Sequence, residues 1–75
     1  MRSRRLTRHA EERLRQRGIT RDDVIAALNR EIRTSPGQPG TTWVWGYAAG
    51  GRILKVCVRR DAEEDVVITA VWPDA

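Results

Sequence analysis

Phenylalanine is absent from this sequence, and cysteine, histidine, lysine and methionine each occur once. Each shortage excludes something. A single cysteine rules out an intramolecular disulfide, and Cys57 with His9 is too small a ligand set for a structural zinc site. Without Phe, aromatic bulk rests on Trp43, Trp45, Trp72 and Tyr47. No apolar run approaches the roughly 20 residues of a membrane-spanning helix, and no apolar stretch follows the basic N-terminus as it would in a signal peptide. The expectation is a cytoplasmic, reducing location, no membrane, no metal and no cofactor.

What the chain has instead is arginine. Residues 1 to 21 carry eight arginines against Glu11 and Glu12, a net charge of +6, while the remainder carries −2. A basic end on a small domain points to a polyanion, nucleic acid first. A plain arginine-rich composition is the competing explanation. The 75 residues make one domain, 1–75, small enough to bury only about 60% of its unfolded surface.

The stretch Thr7 to Thr20 predicts a helix with a readable start and stop. Thr7 is placed to cap it, and Gly18 to end it in the left-handed conformation. At about 100° per residue, His9, Arg13 and Arg17 share one stripe beside Ala10 and Leu14. A second helix is signalled by Thr20 and Asp23 as a capping-box pair, followed by Val24, Ile25, Leu28 and Ile32 at helical spacing. Ser35 to Gly40 reads as a loop. Beyond it the period changes to two. Thr41–Ala48, Arg52–Arg60 and Val66–Trp72 read as strands, joined by a Gly50-Gly51 turn and an acidic turn from Asp61 to Asp65.

The predicted fold class is α+β. Two N-terminal helices pack on one face of a three-stranded antiparallel sheet, four-stranded if a short strand precedes Thr7. Leu14, Val24, Leu28, Leu54, Val56 and Ile68 are the expected core. Lys55, Cys57 and Arg59 then fall on the uncovered face with some of the aromatics. Beside the arginine edge of the first helix, that face makes a groove suited to an RNA strand. The alternative is that the three tryptophans fill the core.

The run His9-Ala10-x-x-Arg13-x-x-x-Arg17-Gly18-Ile19-Thr20, with a late strand ending Val67-Ile68-Thr69-Ala70, resembles the family called domain of unknown function 4258. More distantly the layout is similar to BrnT-type toxins, within the RelE-like ribonuclease superfold. That resemblance implies a RelE/BrnT-like toxin of a toxin–antitoxin system: a metal-independent endoribonuclease with RNA as substrate and a cognate antitoxin as partner. An oligomer is compatible with it. Two departures stand out: only Lys55 and Arg59 are well-placed strand cations, and Trp72-Pro73-Asp74-Ala75 carries no catalytic tail.

Such cleavage needs a base for the 2′-hydroxyl proton and cations for the charge developing on phosphorus. His9 is the only side chain of a type that ordinarily titrates near neutrality. Arg13, one turn on, offers a fork that matches phosphate oxygens. His9, Arg13 and Thr69 are therefore the candidate catalytic residues, with Arg17, Lys55 and Arg59 as RNA-binding residues. Each has a plainer role available: His9 in capping or packing, the two arginines on loop carbonyls, Thr69 as a strand former. Cys57 reads as a small packing residue. The alternative function is a non-catalytic module that binds nucleic acid or protein through the same basic face.

Overall fold

In the computed structural model, which describes residues 3–61 and 63–73, the chain runs β1 (Ser3–Leu6), α1 (Arg8–Gln16), α2 (Arg21–Asn29), β2 (Glu31–Pro36), β3 (Thr42–Tyr47), β4 (Ile53–Arg60) and β5 (Glu64–Val71). Expectations resting on Met1, Arg2, Ala62, Asp74 and Ala75 lie outside the described residues.

Both helices begin and end for local reasons. Thr7 Oγ1 accepts from the Ala10 amide at 3.0 Å, satisfying a donor that the first turn leaves without a carbonyl. At the other end Gly18 takes φ +68°. That lets Ile19 N–H reach the Leu14 carbonyl at 2.9 Å and Gly18 N–H reach that of Arg15 at 3.3 Å, a Schellman closure. Ile19 and Leu14, brought together by this turn, are both buried. The second helix opens with a complete capping box: Thr20 Oγ1 accepts from Asp23 N–H at 3.1 Å, and Asp23 Oδ2 from Thr20 N–H at 3.0 Å.

The sheet corrects the expected architecture. It has five strands in the order β1-β5-β4-β3-β2, and β1 pairs parallel to β5, with Ser3 opposite Glu64 and Leu6 opposite Val67. The sheet is therefore mixed, not a three- or four-stranded antiparallel meander. Two strands account for the difference. The β1 segment, anticipated only as an optional short strand, pairs parallel to β5: the two helices carry the chain to β2 at the far edge, and three antiparallel steps from β2 bring β5 back beside β1. The β2 segment was not anticipated. The spacing of Ile32, four residues after Leu28, predicts it on the second helix, and Ser35-Pro36 reads as part of a loop. Instead α2 stops at Asn29, Ile32 sits at the irregularity in β2 and is 49% exposed, and Ser35 and Pro36 pair with Trp43 and Thr42. An edge strand exposed on both faces needs no apolar alternation, so its pairing is carried by backbone groups that leave no pattern in the sequence.

The helices cover one face. Ala10 and Leu14 of α1 and Val24, Ala27 and Leu28 of α2 pack on Val44, Leu54, Val56, Val58, Val67 and Ala70 as one buried cluster. Ile68, expected among them, is only half-buried. It is the extra residue of a bulge in β5, between the pairs Cys57–Thr69 and Val58–Val67. Helix α2 lies very close to β3 at Gly46. A Cβ there would overlap the Ala27 carbonyl oxygen and come within 2.7 Å of its carbon.

Among the described residues, one charged side chain is buried. Asp65 is fully buried, with Arg60 Nε at 3.4 Å and Arg4 Nε at 3.8 Å. Arg60 also bonds Glu31, and Arg4 Nη1 donates to Asn29 Oδ1 at 2.5 Å. The hydrogen bond from Arg60 to Glu31, ahead of the Glu31 and Asp65 charges and against partial desolvation, raises the Arg60 pKa. The cluster joins β1, α2, β2, β4 and β5.

Candidate functional site

Helix α1 is set at the edge of β5 by the shortness of β1. Pairing between β1 and β5 ends at Leu6 and Val67, and Thr7 N–H makes a last, long bond to the Val67 carbonyl at 3.5 Å. Among the described residues, no strand lies beside β5 on that side from Ile68 onward, and α1 packs against β5. Ala10 and Leu14 turn into the core. The stripe one position away, His9, Arg13 and Arg17, is left facing across β5 toward the uncovered side of the sheet.

The result is a cleft of about 360 Å³ lined by His9, Arg13, Arg17, Trp43, Ile68, Thr69 and Val71. His9 and Arg13 are exposed at its α1 wall, and Arg17, Trp43, Thr69 and Val71 are half-buried. Four of the six site residues expected from sequence therefore meet in one place: His9, Arg13, Arg17 and Thr69. Their states differ. Arg17 Nη1 donates to Thr69 Oγ1 at 3.0 Å and to the Ala70 carbonyl at 2.9 Å, while Trp72 Nε1 donates to the Arg17 carbonyl at 3.1 Å. Arg17 thus ties the end of α1 to the part of β5 that β1 does not reach. Thr69, accepting from Arg17, keeps a hydroxyl proton of its own to donate.

Lys55 does not line the cleft but stands next to it. Its Nζ lies 4.4 Å from the ring centroid of Trp43 and 5.1 Å from that of Trp45. Register explains the contact: Trp43 is opposite Cys57 and Trp45 opposite Lys55, all on the face away from the helices. Arg59, also on that face, is exposed and opposite Val66, past Cys57 along β4 and away from the cleft. Cys57 is 7% exposed beside Trp43, consistent with a packing residue.

Sequence reasoning missed Arg33. Its guanidinium lies 4.0 Å above the Trp45 ring, and the two residues are register partners across β2 and β3. With β2 unrecognised, nothing placed Arg33 on the sheet; the only available signal was a cation next to a strand rich in tryptophan. The tryptophans divide by role. Trp43 and Trp45 belong to the uncovered face, whereas Trp72 packs against the core cluster with Arg52 4.3 Å above its ring.

The fold and the cleft define a small α+β domain whose one-sided sheet presents cations and indole rings beside a histidine. Residues 6–72 match the family model described as domain of unknown function (DUF4258), and the chain belongs to that family. Comparison with curated proteins finds no significant match, and comparison with solved structures finds none either. Among the described residues, no helix is long and apolar enough to cross a membrane, and no three His, Cys, Asp or Glu side chains form a group able to hold a metal ion.

Proposed function

We propose that this protein is a metal-independent endoribonuclease acting as the toxin of a toxin–antitoxin pair, with chemistry of the BrnT/RelE kind. The observation that carries this reading is the cleft in which His9, Arg13, Thr69 and Trp43 converge. In the proposed reaction, an unprotonated His9 ring nitrogen takes the proton of a 2′-hydroxyl. The 2′-oxygen attacks the adjacent phosphorus, the bond from phosphorus to the 5′-oxygen breaks, and that oxygen takes a proton from water. The products are a 2′,3′-cyclic phosphate and a 5′-hydroxyl. Arg13 neutralises the charge that builds on the phosphoryl oxygens, and Thr69 donates to one of them.

The antitoxin belongs to the same proposal. Arg4 is engaged by Asp65 and Arg5 by Glu64, so the cations offered to an acidic segment are those of α1, Arg8 and Arg13 above all. Binding of this type weakens with salt, since exposed charges are screened over about 8–10 Å at physiological ionic strength.

The test is cleavage of RNA by purified protein, alone and with ribosomes, beside induction in a bacterial host. Cleavage that survives EDTA, spares DNA and is accompanied by growth arrest supports the proposal. Intact RNA in both reactions with normal growth removes it. A second reading, a binding module without chemistry, is favoured by the Arg17–Thr69 hydrogen bond, which gives both residues a structural occupation. RNA binding without cleavage would select it.

A further inference from the structure

We infer that the uncovered face is a track for single-stranded RNA, on which unpaired bases stack on Trp45 and Trp43 on the way into the cleft. The inference deepens the functional proposal and rests on its premise that the ligand is RNA. Four side chains form a continuous series across three strands. Arg33 lies over Trp45 at 4.0 Å, Lys55 lies 5.1 Å from Trp45 and 4.4 Å from Trp43, and Trp43 is itself a wall of the cleft. Cations and rings therefore alternate from the β2 edge to His9.

Burial of this kind is not what a core tryptophan shows. Trp43 and Trp45 are only half-buried, no helix among the described residues covers their face, and each ring carries a side-chain cation. Arg33 is exposed, and its guanidinium is a flat π-system resting on an indole. A nucleobase is also flat and stacks on aromatic rings at little cost in sequence preference. In the track, a base takes the place of Arg33 on Trp45, and the released guanidinium, with Lys55, pairs with the flanking phosphates. Trp43 and Trp45 are two residues apart on one strand, roughly 6.6 Å along it. That is about twice the 3.4 Å spacing of stacked bases, so consecutive bases are splayed apart rather than stacked on each other. Paired RNA cannot comply, because its bases are held in the helix stack. Charge complementarity supplies the remainder: Arg33, Lys55 and Arg13 face a polyanion.

The probe is a short 2′-O-methyl oligoribonucleotide, whose attacking hydroxyl is blocked, titrated against the full chain by tryptophan fluorescence. Its duplex serves as the comparison. The single strand is expected to quench emission and to bind at least tenfold tighter than the duplex. Trp45→Leu, which keeps bulk but has no π-face, is expected to lose roughly 5- to 150-fold in affinity with an unchanged salt slope. Trp45→Phe, which keeps a ring, is expected to stay within about threefold of wild type, a rescue that a merely structural Trp45 would not produce selectively in binding. Lys55→Ala is expected to reduce the salt slope by about one.

Equal affinity for duplex and single strand overturns the inference, and so does wild-type affinity in Trp45→Leu. The two proposals fail separately. Cleavage of RNA by a Trp45→Leu protein at wild-type kcat/KM removes the track and leaves the nuclease. Tight single-strand binding without cleavage of unmodified RNA removes the nuclease and leaves the track.

Discussion

Arg17, at the end of α1, donates to Thr69 in β5 across 3.0 Å, although 52 residues separate them in the chain. The same Nη1 reaches the Ala70 carbonyl at 2.9 Å. Together these bonds hold the wall of the cleft against its floor, which makes Arg17 a positioning residue more than a phosphate ligand. Arg17→Ala should destabilise the fold by about 1–3 kcal/mol, the usual range for charged hydrogen bonds whose acceptors are left partly buried. Arg17→Lys keeps the charge without the planar fork and should recover less than half of the loss. Urea denaturation checks both. An unchanged midpoint in Arg17→Ala would mean that the tie contributes nothing and that Arg17 is available for ligand.

Asp65 carries a larger expected effect. Its carboxylate is fully buried between Arg4 and Arg60, whose side chains are 19% and 30% exposed. Such a cluster is weak evidence for net stability, yet removing one member leaves charge uncompensated where water is scarce. Asp65→Asn should therefore cost about 3 kcal/mol. A thermal midpoint within a degree of wild type would show that the two arginines find other partners.

Much of this arrangement was legible in residue order, and the failures have physical causes. Caps and turns were legible because they depend on residues three or four apart: Thr7, Gly18, Thr20 and Asp23 all do as their chemistry implies. The alternation of Leu54, Val56 and Val58 was legible because one face of β4 is buried and the other is not. The strand β2 was not, since both its faces are open and Ile32 happens to follow Leu28 at helical spacing. Parallel pairing of β1 with β5 could not be read either, because it joins segments about 60 residues apart through backbone groups common to every sequence. The cleft was half legible. A helical stripe brought His9, Arg13 and Arg17 together, but the part played by Trp43 and Arg33 depends on cross-strand register. Arg59, placed in the site by strand alternation alone, lies along β4 beyond it.

Gly46 shows how closely α2 approaches the sheet. Because an added Cβ would meet the Ala27 backbone, which no rotamer change can move, Gly46→Ala should cost about 1–3 kcal/mol or more through overpacking. Gly50→Ala is the control: a Cβ there meets nothing within 4 Å. Its midpoint should stay within about 0.5 kcal/mol of wild type, as for ordinary surface substitutions. Equal effects at the two sites would contradict the packing of α2 on β3.

The functional expectation turns on His9 and Arg13, one helical turn apart and both exposed at the cleft. Neither is buried, so truncating either should leave the unfolding midpoint close to wild type, and a loss of activity can be assigned to chemistry. If His9 takes the 2′-hydroxyl proton, His9→Ala should lower kcat by roughly 10²–10⁴-fold with little change in KM, the usual worth of a positioned base. Arg13 separates two kinds of contact. An arginine that meets the phosphate equally before and during reaction would raise KM alone on removal, whereas one that meets charge developing on the phosphoryl oxygens lowers kcat. The proposed role requires the second pattern in Arg13→Ala. Single-turnover cleavage of a short RNA by wild type, His9→Ala and Arg13→Ala distinguishes these outcomes. A wild-type rate in His9→Ala would remove His9 as the base, and with no second histidine in the chain the 2′-hydroxyl proton would have to pass to water or to a side chain of another type.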